Sequence, residues 1–113
     1  MLQTKLDHIQ TEDQFDELLA NHNQVMLCCG RMGPMCIPVY GVMEEIRQDY
    51  PTVRFADMDF DTPVATRIKT LPECNGFMGL PFTVYFKQGK VVKATTSIQN
   101  QKQVEAILKE YFD

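Results

Sequence analysis

Along the chain the apolar positions alternate between two periodicities. Phe15, Leu18 and Leu19 fall at helical spacing behind Thr11 and Gln14, a pair with the pattern of a capping box, so a first helix is expected to start after Thr11. The wholly apolar run from Val25 to Cys29 fits a strand covered on both faces. Val39, Val42, Met43 and Ile46 return to helical spacing up to Tyr50-Pro51, where proline stops a helix, and Val53 to Met58 reads as a second central strand. Asp61-Thr62-Pro63 marks another helix start. Thr62 is the expected N-cap and Pro63 the first helical residue, with Val64, Ile68 and Leu71 on one face before Pro72 ends it. Phe82 to Lys87 and Val91 to Thr96 flank Gln88-Gly89, a connection of hairpin length, so these strands should be antiparallel. Asn100 is expected to cap a last helix whose buried stripe is Val104, Ile107, Leu108 and Tyr111.

This order calls for an α/β fold in which a mixed sheet of four to five strands carries about four helices on its two faces. A length of 113 residues with 44% hydrophobic content fits a single domain over residues 1–113. The net charge is −4 and the Lys and Arg residues are scattered, so no basic stripe exists to neutralise phosphates and nucleic acid is not an expected partner. No apolar run approaches the ~18 residues of a membrane span, and MLQTKLDHIQTEDQ lacks the pattern of a secretory leader. A soluble, cytoplasmic chain with no membrane partner is expected.

Cys28, Cys29, Cys36 and Cys74 are then expected as reduced thiols, with Cys28 and Cys29 on opposite faces of one strand. Their spacing has no paired knuckles for zinc or an iron–sulfur cluster. Met32, Met35, Cys36 and Met78 are soft sulfur ligands of the kind that select Cu(I), but no tight ligand loop accompanies them, and they read as core or contact residues. His8 and His22 are expected on the surface. Cys74, in the loop PECNG, is expected exposed or half-buried. No metal or cofactor is expected.

The order of elements, the Gly33-Pro34-Met35 turn at the second helix, the stretch VRFADMDFDTP and above all GLPFTVYFKQGKVV resemble the thioredoxin family over essentially the whole chain. Members of that family carry a W-C-G-P-C turn at a helix N-terminus and a G-[IVL]-P-T segment with a cis proline, leading into a strand that ends K-x-G. Gly79-Leu80-Pro81 and Lys87-Gln88-Gly89 match the second pattern. The resemblance implies a thioredoxin fold with a cis Leu80–Pro81 bond.

The first pattern is missing. Dithiol–disulfide exchange needs a thiolate at the helix N-terminus and a second thiol two residues on. With Gly33-Pro34 aligned on the family's Gly-Pro, the cysteine positions are Met32 and Met35, whose thioethers neither ionise nor exchange. Shifting by one residue makes the attacking position Gly33 and leaves Cys36 as the resolving one. Neither register contains C-x-x-C. The chain also has no Trp, the family's buried proton-accepting Asp falls on Met26, and its partner lysine falls on Asp57.

The resemblance therefore points to a protein that has lost disulfide reductase chemistry and binds a protein or extended peptide at the old active-site surface. Met32, Gly33, Pro34, Met35, Met78, Leu80, Pro81 and Phe82 are the candidate binding residues, with Phe77 adding apolar area. A backbone edge at the residue before the cis proline would pair with an extended chain. A tip retained only for structure is the bland rival. The alternative with chemistry is an atypical thiol–disulfide oxidoreductase in which Cys36, near the positive end of the helix dipole, is the single reactive thiol.

Overall fold

Residues 2–112 are described by a computed structural model. The chain runs β1 (Asp7–Ile9), α1 (Glu12–Asn21), β2 (Gln24–Gly30), α2 (Ile37–Ile46), β3 (Val53–Asp59), α3 (Thr66–Lys69), β4 (Phe82–Lys87), β5 (Lys90–Thr96) and α4 (Gln101–Phe112), with 3-10 turns at Arg47–Asp49, Pro63–Ala65 and Pro72–Cys74. The five strands form one sheet in the order β1-β3-β2-β4-β5. β1 and β2 run parallel to β3, while β4 is antiparallel to both β2 and β5, so the sheet is mixed as the pattern requires.

Local chemistry sets the element ends. The Thr11 hydroxyl accepts the Gln14 N–H at 3.1 Å, and the Gln14 side chain accepts the Thr11 N–H in return, which satisfies two of the orphan donors at the start of α1. Asn100 and Gln103 repeat the exchange before α4, at 2.8 and 2.9 Å. Gln88 and Gly89 both have positive φ, 54° and 76°, which suits the twist of the β4–β5 hairpin.

Two details depart from the periodicity reading. β1 is a three-residue edge strand with Ile9 as its one buried side chain, too short to leave an apolar pattern. After Pro63 the chain forms a 3-10 turn and then only four α-helical residues, and Thr62 spends its hydroxyl on the Asp59 carbonyl at 2.7 Å rather than on a cap, so Leu71 lies beyond the helix.

Strand alternation divides the core in two. Met26, Cys28, Phe55 and Tyr85 pack with Val39, Tyr40 and Met43 of α2 and Val104, Leu108 and Phe112 of α4 on one face. Val25, Leu27, Cys29, Met58, Val84 and Phe86 pack with Phe15, Leu18 and Ile68 on the other. Cys28 and Cys29 thus face opposite ways. In α4 the fully buried stripe is Val104, Leu108 and Phe112, with Ile107 and Tyr111 half-buried against it, and Cys74 is buried rather than exposed or half-buried, tucked into the second core by the Pro72–Cys74 turn.

Replacing Thr11 with Ala should lower folding stability by about 1 kcal/mol through loss of the cap, read as a lower urea midpoint at unchanged slope.

Candidate functional site

The first turn of the second helix opens at Gly33. Its carbonyl accepts the N–H groups of Cys36 at 3.1 Å and Ile37 at 3.0 Å. Pro34 occupies the first position of that turn, where a missing N–H costs nothing. Pro38 has no N–H to donate to the Pro34 carbonyl, so the regular ladder starts only at Ile37 and Cys36 sits at the N-cap of α2. Gly33 is half-buried at the tip, whereas the Cys36 side chain turns inward and the residue is 2% exposed.

The sulfur of Cys36 lies at a crowded junction. It accepts the Arg31 N–H at 3.4 Å, and the Tyr40 hydroxyl donates to the Arg31 carbonyl at 3.0 Å. A Cβ on Gly30 would lie 2.8 Å from Cys36 Sγ, 2.9 Å from Tyr40 Oη and 3.0 Å from Pro81 Cβ, so only glycine lets the end of β2, the start of α2 and the Pro81 loop close on one another. Arg31 ties the same turn to the chain after β3 with a bidentate contact to Asp61, Nε to Oδ2 at 2.8 Å and Nη2 to Oδ1 at 2.7 Å. Gly30 and Tyr40 were not candidates from sequence. A glycine closing an otherwise apolar strand is the one signal that marks this position.

The Leu80–Pro81 peptide bond is cis. Thr96 donates its hydroxyl to the Gly79 carbonyl, and the Ser97 N–H donates to the Pro81 carbonyl at 3.0 Å, which holds this loop against the end of β5. Between these two anchored residues, neither the N–H nor the C=O of Leu80 makes a hydrogen bond with any described residue. Around this point lie the exposed large hydrophobic residues of the described chain: Met32 (40%), Met35 (43%), Ile37 (48%), Met78 (97%) and Ile98 (45%). Met32, Met35, Met78 and Ile98 lie on three connections at the end of the sheet that holds Gly30 and Pro81, and Ile37 opens α2 there. Met26, Met43 and Met58 are by contrast fully buried.

The structure brings Met32, Gly33, Pro34, Met35, Met78 and Leu80 to this tip and removes Phe82 from it. Phe82 is the first residue of β4, on the parity of Val84 and Phe86, and its ring sits in the second core with centroids 5.4 Å from both Phe60 and Phe77. Pro81 is buried and shapes the junction rather than lining its surface. Ile37 and Ile98 join the candidates.

Beneath the helix start, one row of residues crosses the sheet in register: His8, Asp57, Cys28 and Thr83. His8, expected on the surface, is half-buried, with 24% of its side chain exposed. Its Nδ1 lies 2.7 Å from Asp57 Oδ1, and Thr4 donates its hydroxyl to Asp57 Oδ2. Burial outweighs these two hydrogen bonds and holds the Asp57 carboxyl above its ordinary value. The residue facing Asp57 across β2 is Cys28; Met26, matched from sequence to the family's acid, faces Phe55 instead. Burial also raises the Cys28 thiol well above its usual range, pushes Cys29 up to about 12 and Cys74 up to about 11. All four cysteines are free thiols in the structure.

No protein-family model and no curated protein sequence matches the chain. Solved structures do. A variant thioredoxin from Halobacterium salinarum is 18% identical with a TM-score of 0.79, covering 100% of this chain and 97% of its own. Plasmodium falciparum thioredoxin is 17% identical with a TM-score of 0.75, covering 94% and 99%. Mitochondrial thioredoxin 3 from Saccharomyces cerevisiae is 21% identical with a TM-score of 0.74, covering 93% and 94%. The chain has the thioredoxin fold. No helix among the described residues is long and apolar enough to cross a membrane.

Gly30→Ala should destabilise the protein by about 1–3 kcal/mol, because the added methyl must displace a sulfur, a hydroxyl and a proline ring; thermal or urea unfolding measures it. Asp57 generates a pH signature. Its proton is held more tightly in the folded than in the unfolded chain, so its contribution to stability falls as pH rises from the ordinary carboxylate value through the raised one. Urea midpoints from about pH 4 to 7 should therefore show a decline in wild type that Asp57→Asn flattens.

Proposed function

We propose that this chain, which has the thioredoxin fold, binds an extended stretch of protein at the surface around Pro81 and does not carry out dithiol–disulfide exchange. One observation carries the reading. The exposed large hydrophobic residues of the described chain are not scattered singly: four lie on the connections at one end of the sheet and the fifth, Ile37, opens α2 at that end, the arrangement of a partner site. The unpaired N–H and C=O of Leu80 add a short backbone edge on which a partner strand can align, with the apolar side chains beside it selecting residues of the partner.

The chemistry of the tip supports the same reading. Gly33 opens the helical turn and Cys36 follows two residues after Pro34, so we align Gly33 with the attacking cysteine of the fold and Cys36 with the resolving one. Glycine supplies no sulfur to attack a disulfide. The competing reading uses Cys36 alone, but a residue 2% exposed, wedged against Gly30, presents no sulfur along which a substrate disulfide can line up. Four unpaired thiols suit a reducing compartment such as the cytoplasm.

The test combines selection and activity. Peptides chosen from a random library for binding to the protein should lose affinity about tenfold or more, at least ~1.4 kcal/mol, on Met78→Asp or Met35→Asp, and keep it on Cys36→Ala. Wild type should not reduce insulin with dithiothreitol as electron source. Insulin reduction that Cys36→Ala abolishes, or binding indifferent to both Asp substitutions, would overturn the proposal.

A further inference from the structure

Sulfur in this protein is partitioned by accessibility in a way that reverses the expectation for its fold. Every cysteine is buried: Cys28, Cys29, Cys36 and Cys74 expose 0%, 0%, 2% and 3% of their surface. Among the described residues the sulfur-bearing side chains that reach solvent are those of Met78, Met35 and Met32, and all three belong to the tip. Met26, Met43 and Met58 are enclosed in the two cores. An oxidant arriving from solution thus encounters thioether sulfur at the apolar surface before it encounters any thiol. The buried thiols are further protected because burial favours their protonated form at Cys28, Cys29 and Cys74, and the thiolate is the species that reacts.

We propose that the tip is a methionine oxidation site, with a hydroperoxide as the oxidant and Met78, then Met35 and Met32, as the residues modified. In each event the thioether sulfur attacks the terminal oxygen of the hydroperoxide, an S–O bond forms as the O–O bond breaks, sulfur loses two electrons, and the other oxygen takes up the proton of the transferred hydroxyl and leaves as the alcohol, or as water when the oxidant is hydrogen peroxide. The product, a sulfoxide, is a polar acceptor in place of an apolar, polarisable atom. Reversal consumes two thiols of a methionine sulfoxide reductase, which leave as a disulfide while the oxygen departs as water. Met78 leads because it is 97% exposed. Met32 trails because it is the least exposed of the three and its Sδ already accepts the Gln3 N–H at 3.4 Å.

The consequence for binding rests on the docking reading above, whereas the order of oxidation does not. Three sulfoxides on the apolar connections would place polar oxygens where a partner must exclude water, which weakens docking without disturbing either core. Peroxide would then release the partner, and reductase would restore it.

Limited treatment with hydrogen peroxide, followed by peptide mapping by mass spectrometry, tests the site. Met78 should gain one oxygen first, Met35 and Met32 next, with Met26, Met43, Met58 and all four thiols unmodified over that interval. Consumption of any thiol ahead of Met78, or uniform modification of tip and core methionines, overturns the proposal. The same samples are then offered the library-selected peptide. Oxidised wild type should bind it about tenfold or more weakly, a methionine sulfoxide reductase should recover the loss, and peroxide should leave the affinity of the triple variant Met32→Leu, Met35→Leu and Met78→Leu, whatever its starting value, unchanged. Equal binding by reduced and oxidised wild type overturns the switch. Absence of any selected peptide defeats the docking reading alone, and the oxidation order is then judged by the map.

Discussion

The tip of this molecule depends on a close approach at Gly30. A strand end, a helix start and a proline loop converge there, and the contacts a Cβ would make, 2.8 Å to Cys36 Sγ and 3.0 Å to Pro81 Cβ, show how little space separates them. Closure at that point has two effects at once. It presses the Cys36 sulfur into the interior, and it brings the connections bearing Met32, Met35, Met78 and Ile98 to the same end of the sheet. A single packing constraint thus encloses a thiol and leaves apolar side chains exposed.

Beneath this junction the sheet carries a polar row that the fold must satisfy internally. Asp57 is buried in β3 with the Thr4 hydroxyl and the His8 ring as partners, both from the N-terminal segment. That segment is stitched down further by Leu2 and Leu6 in the core and by the Lys5 N–H donating to Glu44 at 2.6 Å. A buried carboxylate left without partners would cost several kcal/mol, so the short β1 strand and the residues before it act as the counterpart of Asp57. The resemblance implies a dismantled acid–base pair at Met26 and Asp57; in the sheet Asp57 faces Cys28 and Met26 faces Phe55.

Most of the fold was legible because it rests on apolar periodicity and caps. The Thr11–Gln14 capping box, the Asn100 cap, the two central strands and the β4–β5 hairpin follow from residues close in sequence, such as Thr11 with Gln14 or Gln88 with Gly89. What escaped depends on distant partners. Nothing near His8 in sequence announces Asp57, 49 residues away, so its pairing is not legible there. The strand from Phe82 to Lys87 is legible, but nothing local shows that the Phe82 ring packs inward against Phe60 and Phe77 rather than facing the binding surface. Ile37 and Ile98 became candidates only once tertiary structure left them uncovered. Thr62 had the right residue type for a cap, but the carbonyl of Asp59 claimed its hydroxyl.

The central claim is that a partner chain aligns on the backbone of Leu80. Amide hydrogen exchange of Leu80, followed with and without saturating library-selected peptide, tests it most directly. The N–H has no hydrogen-bond partner among the described residues, so it should exchange fast in the free protein and slow markedly in the complex, in wild type and in Cys36→Ala alike. Unchanged exchange at Leu80 while protection appears elsewhere would contradict the account.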